Sequence, residues 1–327
     1  MKGPEGYELL PQSYTGSHWR DEEKILTLQH GRTLAYTSVG DPDSQTVILS
    51  FHGGMSIGFV RTQDLAPTLV AKKVHFVALT LPGWGSTSSP RGQTSYASCV
   101  ISDVVALLNH LYSDTTKLRI YVAGLVFGAF AAQILYHAPF DQFPLGRQIV
   151  AMFLRHPCSP KQYNLVEPSA VVTTSAPRAV FWYLELLMRF RLRSVDSAEH
   201  WIRKGSSKLS AAHKEKYVRW LADRGYTEAE YTRDLAERTV YSVSKTWQGL
   251  RMTREVMKWE WGTFDPASLD KEHASRPILI VSPRGSRMTQ FLVESYKNVQ
   301  AVYCNTVLDM SMWNSDGFWS KLLDNTE

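Results

Sequence analysis

The chain has 327 residues, 44% of them hydrophobic and 20% charged, with a formal net charge of +5. This composition excludes a disordered or fibrous chain and supplies enough apolar residues for a large core. The small, scattered positive charge argues against nucleic acid as a partner. Even the densest basic run, Arg189, Arg191 and Arg193, alternates with Phe190 and Leu192 and reads as a solvated or pocket-rim helix face.

In chain order, residues 1–21 read as a polar N-terminal extension without an apolar signal region. Ile25–Leu28 and Thr33–Val39 predict an antiparallel lead-in, ended by Gly40-Asp41-Pro42. Short apolar runs at Val47–Phe51, Val74–Leu79, Leu118–Ala123 and Ile149–Leu154 predict buried parallel strands. Helices at Tyr96–Leu111, with its apolar stripe of Val100, Val104, Leu107, Leu108 and Leu111, and at Phe127–Tyr136 separate them. This alternation predicts an α/β fold with a mostly parallel, doubly wound sheet.

From 159 to 265 the pattern changes to long, aromatic-rich amphipathic segments. Helices are expected at Phe181–Leu192, His213–Arg224 and Thr246–Trp261. An insertion of this length is too long for a loop and reads as a helical lid. The sheet resumes at Pro277–Val281 and Ala301–Cys304, and Phe318–Leu323 closes the chain as a helix. The α/β core is therefore expected over 22–158 and 266–327.

Several chemistries lack their residues. Three widely spaced cysteines, Cys99, Cys158 and Cys304, make neither a disulfide framework nor a CxxC site. Ten dispersed histidines show no metal-ligand spacing, phosphate-binding glycine loops are missing, and no cofactor is expected. No run reaches the roughly 18 apolar residues of a membrane span. A reducing, cytoplasmic setting is the expectation; oligomeric state is left open.

Four local sequences carry more specific information. Phe51-His52-Gly53-Gly54 ends the first parallel strand and Leu81-Pro82-Gly83-Trp84-Gly85-Ser86-Thr87 the second. Gly124-Leu125-Val126-Phe127-Gly128-Ala129 spans a strand, turn and helix, and Leu308-Asp309-Met310-Ser311 follows the last strand. Together they resemble the α/β-hydrolase superfamily over nearly the whole chain. The resemblance is nearest to small lidded members of the epoxide-hydrolase and esterase kind.

That resemblance identifies Val126 with the nucleophile position of the elbow, where the superfamily carries serine or, in epoxide hydrolases, aspartate. Valine can be neither. The position of the acid, in Val281–Arg287, holds Ser286. The position of the histidine, after the last strand, holds Asp309, and no histidine follows His273. All three members of the triad are thus replaced.

The resemblance also implies an oxyanion hole of backbone N–H groups, here from Gly54 or Met55 and from Phe127. Asp309 is the leading candidate for a general base or acid, because an apolar pocket would raise its pKa. A turn cap is its competing role. His156 and His52 are secondary candidates, His52 being equally suited to shaping its loop. Trp84, Val126 and Trp313, with Trp182 and Tyr183 from the lid, are expected to line an apolar pocket for a hydrophobic small molecule. Tyr183 could also donate to an epoxide oxygen, although Trp182, Tyr183, Tyr217, Trp220 and Trp247 are better read as packing. Asp64 and Asp103 are expected at the surface.

Three functions stay open. One is a diverged enzyme that cyclises, rearranges or hydrates a hydrophobic molecule, secondary metabolism being one setting. The second is a catalytically inactive receptor, and the third an interaction protein.

Overall fold

The computed structural model describes residues 19–92, 94–157, 178–207, 209–258, 266–304 and 315–326. Eight strands form one sheet: β1 (Lys24–Thr27), β2 (Thr33–Gly40), β3 (Thr46–Phe51), β4 (His75–Leu79), β5 (Arg119–Leu125), β6 (Ile149–Arg155), β7 (Ile278–Pro283) and β8 (Val299–Cys304). Their order is β1-β2-β4-β3-β5-β6-β7-β8. The β1–β2 and β2–β4 pairs are antiparallel and the rest parallel. Every apolar run expected as a strand forms one, within two residues at either end.

The parallel strands are apolar on both faces because both are covered. Leu49, Val77, Val122, Met152 and Leu154 face one core. It includes helices α3 (Tyr96–Leu111) and α4 (Gly128–His137). Ile48, Ala78, Tyr121, Phe153 and Leu279 face a second core, closed by α2 (Pro67–Ala71) and the C-terminal helix α12 (Ser315–Asp324). Fully burying one such side chain contributes about 1.5–3 kcal/mol. The α3 helix begins where the Ser95 hydroxyl accepts from the Ser98 N–H, and buries Val100, Val104, Leu107 and Leu108.

Between β6 and β7 the described residues form five helices: α5 (Arg178–Arg191), α6 (Val195–Ser206), α7 (Ala211–Ala222), α8 (Glu228–Ser244) and α9 (Gln248–Lys258). Two of them, α6 and α8, were not expected. The sequence does carry a start signal for α8, since Thr227 and Glu230 form a reciprocal capping box. The remaining α-helices among the described residues are α1 (Trp19–Glu22), α10 (Lys271–Ser275) and α11 (Arg287–Ser295). Trp19 is buried and meets Tyr241 edge-on at 4.7 Å, so packed structure already begins inside the expected N-terminal extension.

The insertion is fastened to the core along α8 and the start of α9. The Gly85 N–H donates to the Ser242 carbonyl (2.8 Å), and the Gly249 N–H to the Gly83 carbonyl (2.9 Å). Tyr241 donates to Glu23 (2.9 Å) and Lys245 to Ser86 (2.7 Å). Buried Arg61 joins Glu22 (2.8 Å) to Asp234 on α8 (3.3 Å).

Two expected surface carboxylates are drawn inward. Asp103 is buried and accepts two hydrogen bonds from Arg32, at 2.7 and 2.9 Å. Its partner lies 71 residues earlier, a pairing no local pattern encodes. Half-buried Asp64 accepts from the Arg61 N–H (3.1 Å) and from Tyr226 (3.3 Å). Of the lid aromatics, Tyr217 and Trp220 are buried as expected, in a small cluster with Leu221 and Tyr226.

Candidate functional site

The C-terminal ends of β3, β4 and β5 bring three of the four sequence motifs together, while Leu308–Ser311 lies outside the described residues. Gly124 and Gly128 bracket the elbow because neither position has room for a side chain. A Cβ on Gly124 would lie 2.5 Å from the Ala129 Cα, and one on Gly128 2.1 Å from the Phe51 carbonyl oxygen. The second contact seats α4 directly against the loop after β3.

Val126 sits at the tip with φ +49°. This left-handed conformation costs a residue with a Cβ about 1–2 kcal/mol, and a β-branched one is an outlier there. Its neighbours hold it in place. The Val126 N–H donates to the Arg155 carbonyl (2.9 Å), and the Val126 carbonyl accepts from the Ala129 N–H (3.1 Å). The elbow therefore keeps its strained shape with an inert side chain at its tip, which is 36% exposed.

Of the expected oxyanion donors, Phe127 directly follows Val126. Phe127 is the residue before the first turn of α4, where helix N–H groups lack intrahelical partners. Among the described residues, nothing accepts from the Phe127, Gly54 or Met55 N–H. Met55 is itself left-handed, at φ +53°. Backbone donors left unspent beside a strained tip can polarise a carbonyl or epoxide oxygen.

The histidine candidates separate. His52 is committed on both ring nitrogens: Nε2 accepts from the Leu81 N–H (2.9 Å), which leaves Nδ1–H to donate to the Gly53 carbonyl (2.6 Å). Burial lowers its pKa to about 4. A neutral imidazole with both nitrogens engaged by main chain shapes the loop and has no free position for proton transfer, so the catalytic expectation for His52 is corrected. His156 follows β6 immediately, at φ +49°, and its N–H donates to the Val281 carbonyl (2.8 Å). Leu125 pairs with Arg155 across the sheet, so Val126 and His156 are the next residues on adjacent strands. Both leave the sheet through left-handed turns.

Ser286, at the acid position, is buried and caps α11, accepting from the Thr289 N–H (3.3 Å). Thr289 in turn donates to Ser282 (2.6 Å) and lies 3.1 Å from the Ser286 hydroxyl. The position expected for the acid thus holds a closed hydroxyl cluster that serves the helix. Asp309 and Trp313 lie outside the described residues.

The aromatic expectations change most. Trp84, expected at the pocket mouth, is fully buried. It meets His52 and Phe127 edge-on, at 6.1 and 6.3 Å. Gly249 presses so closely on the indole that a Cβ there would lie 2.4 Å away. Trp84 is thus the joint between core and insertion. Trp182 and Tyr183 are both more than half exposed, so they neither pack in the insertion nor line a closed pocket.

Sequence reasoning passed over Arg155. Its guanidinium lies 5.8 Å from the Phe153 ring, and burial lowers its pKa to about 10. No carboxylate among the described residues pairs with it. The signal was a lone cation closing the apolar run of β6. Among the described residues, no three His, Cys, Asp or Glu side chains gather to hold a metal. No described helix is long and apolar enough to cross a membrane.

No family model and no curated protein matches the sequence. Solved structures do match its fold over almost their whole length. A carboxylesterase from the thaumarchaeon Nitrososphaera gargenis is 12% identical, with 92% of this chain and 100% of that one covered, at a TM-score of 0.59. A thermophilic esterase from Thermogutta terrifontis is 13% identical, with 93% and 98% covered and a TM-score of 0.55. The epoxide hydrolase CorEH is 15% identical, with 93% and 99% covered and a TM-score of 0.50. The protein has the α/β-hydrolase fold, with a helical insertion between β6 and β7.

Proposed function

We propose that this protein is a non-covalent acid–base enzyme acting on a hydrophobic small molecule that carries a carbonyl, enol or epoxide oxygen. The observation that carries this reading is the left-handed Val126 beside the uncommitted Phe127 N–H. A fold that needed only the strand–turn–helix connection gains nothing from that strain, whereas a site that must aim backbone donors does. The Gly54, Met55 and Phe127 N–H groups polarise the oxygen, and Val126 forms an apolar floor. Asp309 and His156 exchange the proton, with the insertion over 159–265 acting as lid. Cyclisation, rearrangement and hydration all fit this division of labour. A serine-type acyl-enzyme does not, because no hydroxyl stands at the tip.

The test is a turnover screen on aromatic epoxides, esters and enolisable ketones, with Asp309→Asn and His156→Gln as probes. The expected result is turnover in the wild type, a loss of kcat of about 100-fold or more in at least one variant, and an unchanged melting temperature. A fluorophosphonate probe should leave the protein unlabelled. Stoichiometric labelling, or turnover indifferent to both substitutions, would overturn the reading. Saturable binding of a hydrophobic ligand with no product would instead identify a receptor.

A further inference from the structure

We propose that the outer face of α5, together with the cleft between α5 and α6, docks the protein on an anionic lipid surface. The proposal is independent of whether the elbow turns anything over.

Its first support is the apolar face. Trp182, Leu186 and Phe190 recur every fourth residue and so share one side of α5, with Tyr183 beside them. They are 64, 46, 64 and 55% exposed. Four of the nine exposed large hydrophobics among the described residues stand on this face, while the others are scattered. The helix is held from its other side, where Glu185 is clamped by Arg251 of α9 (2.9 and 3.0 Å). The stripe is therefore presented outward by a fixed helix.

The second support is charge. Arg191, Trp201, Lys204 and Gly205 line a cleft of about 280 Å³ at the C-terminal end of the stripe. The Arg191 guanidinium lies 5.8 Å from the Trp201 ring, and that of Arg193 lies 4.4 Å from Phe190. Among the described residues no carboxylate pairs with Arg191, Arg193 or Lys204. Two cations and an indole around a cleft of this size suit the phosphate of a lipid headgroup.

Together the two features select the partner. Aromatic and aliphatic side chains enter the headgroup–acyl boundary while long basic side chains reach to the phosphates, as in interfacial amphipathic helices. Nucleic acid would use the cations but leave the apolar stripe in water.

Co-sedimentation with vesicles tests the proposal directly. The full chain should bind vesicles of mixed phosphatidylcholine and phosphatidylserine, release on raising salt, and bind pure phosphatidylcholine weakly. A Trp182→Ser/Phe190→Ser double variant should lose binding to both. Arg191→Gln and Lys204→Gln should each weaken binding to the anionic vesicles roughly fivefold. All four positions are partly or fully exposed, so the circular dichroism spectrum and melting temperature should stay at wild-type values. Failure to bind anionic vesicles, or binding that survives the substitutions, would overturn the proposal. So would a dimer that the double variant dissociates, because the face would then join two copies of this chain.

Discussion

The turn after β5 and the turn after β7 hold the side chains at their tips in opposite ways. At Val126 the main chain keeps a costly left-handed conformation around a side chain that makes it costlier. At Ser286 the main chain is relaxed, with φ −67°, and the hydroxyl caps α11. Folding alone accounts for Ser286, but it does not account for Val126. A position whose strain no folding role repays is where function is best sought, and this contrast gives the backbone donors near Phe127 more weight than the side chain of Ser286.

The sharpest way to break the comparison is to deform the elbow itself. Gly128→Ala would place a methyl 2.1 Å from a backbone oxygen. It should cost roughly 3 kcal/mol or more, read by chemical denaturation. A near-neutral result would mean that α4 is not tied to the loop after β3.

Acid probes the same loop from beneath. Desolvation lowers the pKa values of half-buried His52 and buried His137 to about 4 and about 3, against an ordinary 6.5. The unfolded chain takes up these protons first, so stability should fall as pH drops below about 6.5. The slope approaches about 1.4 kcal/mol per pH unit for each histidine, and the loss from His52 should level off near its folded pKa. His52→Gln should flatten the profile; an unchanged profile would mean that folding does not shift the His52 pKa.

A smaller effect sharpens the other turn. Ser286→Ala should cost about 1 kcal/mol through loss of the cap, whereas Ser286→Asp should keep the cap and most of the stability. An aspartate that restored ester hydrolysis there would contradict the reading of Val126 as an inert tip. Val126→Gly should stabilise the protein by about 1 kcal/mol, because glycine adopts positive φ without a steric penalty. Val126→Ser should yield no hydrolase, since the positions expected for the acid and the histidine carry Ser286 and Asp309.

The sheet was legible because buried parallel strands announce themselves as short apolar runs, and the elbow because two glycines at fixed spacing are demanded by close packing. Long-range pairings were not legible. Nothing near Asp103 forecasts Arg32, and nothing near Trp84 forecasts the main chain of Gly249. Polar-rich helices hid as well. In α8 the buried stripe includes Thr232, Asp234, Thr239 and Ser242, so its amphipathic signal was masked by residues that count as polar. The aromatic side chains of α5 misled in the other direction, since a hydrophobic periodicity states that a face is apolar and not that anything covers it.

The row of fastenings along α8 also fixes how the molecule can move. Arg61–Asp234, Tyr241–Glu23, Gly85–Ser242 and Gly249–Gly83 run in sequence like the knuckles of a door hinge. The insertion must swing, if it swings, about that line, and α5 is carried with it. Trp84 sits in the hinge leaf with a glycine backbone against its ring. Its fluorescence should therefore report the angle of the door.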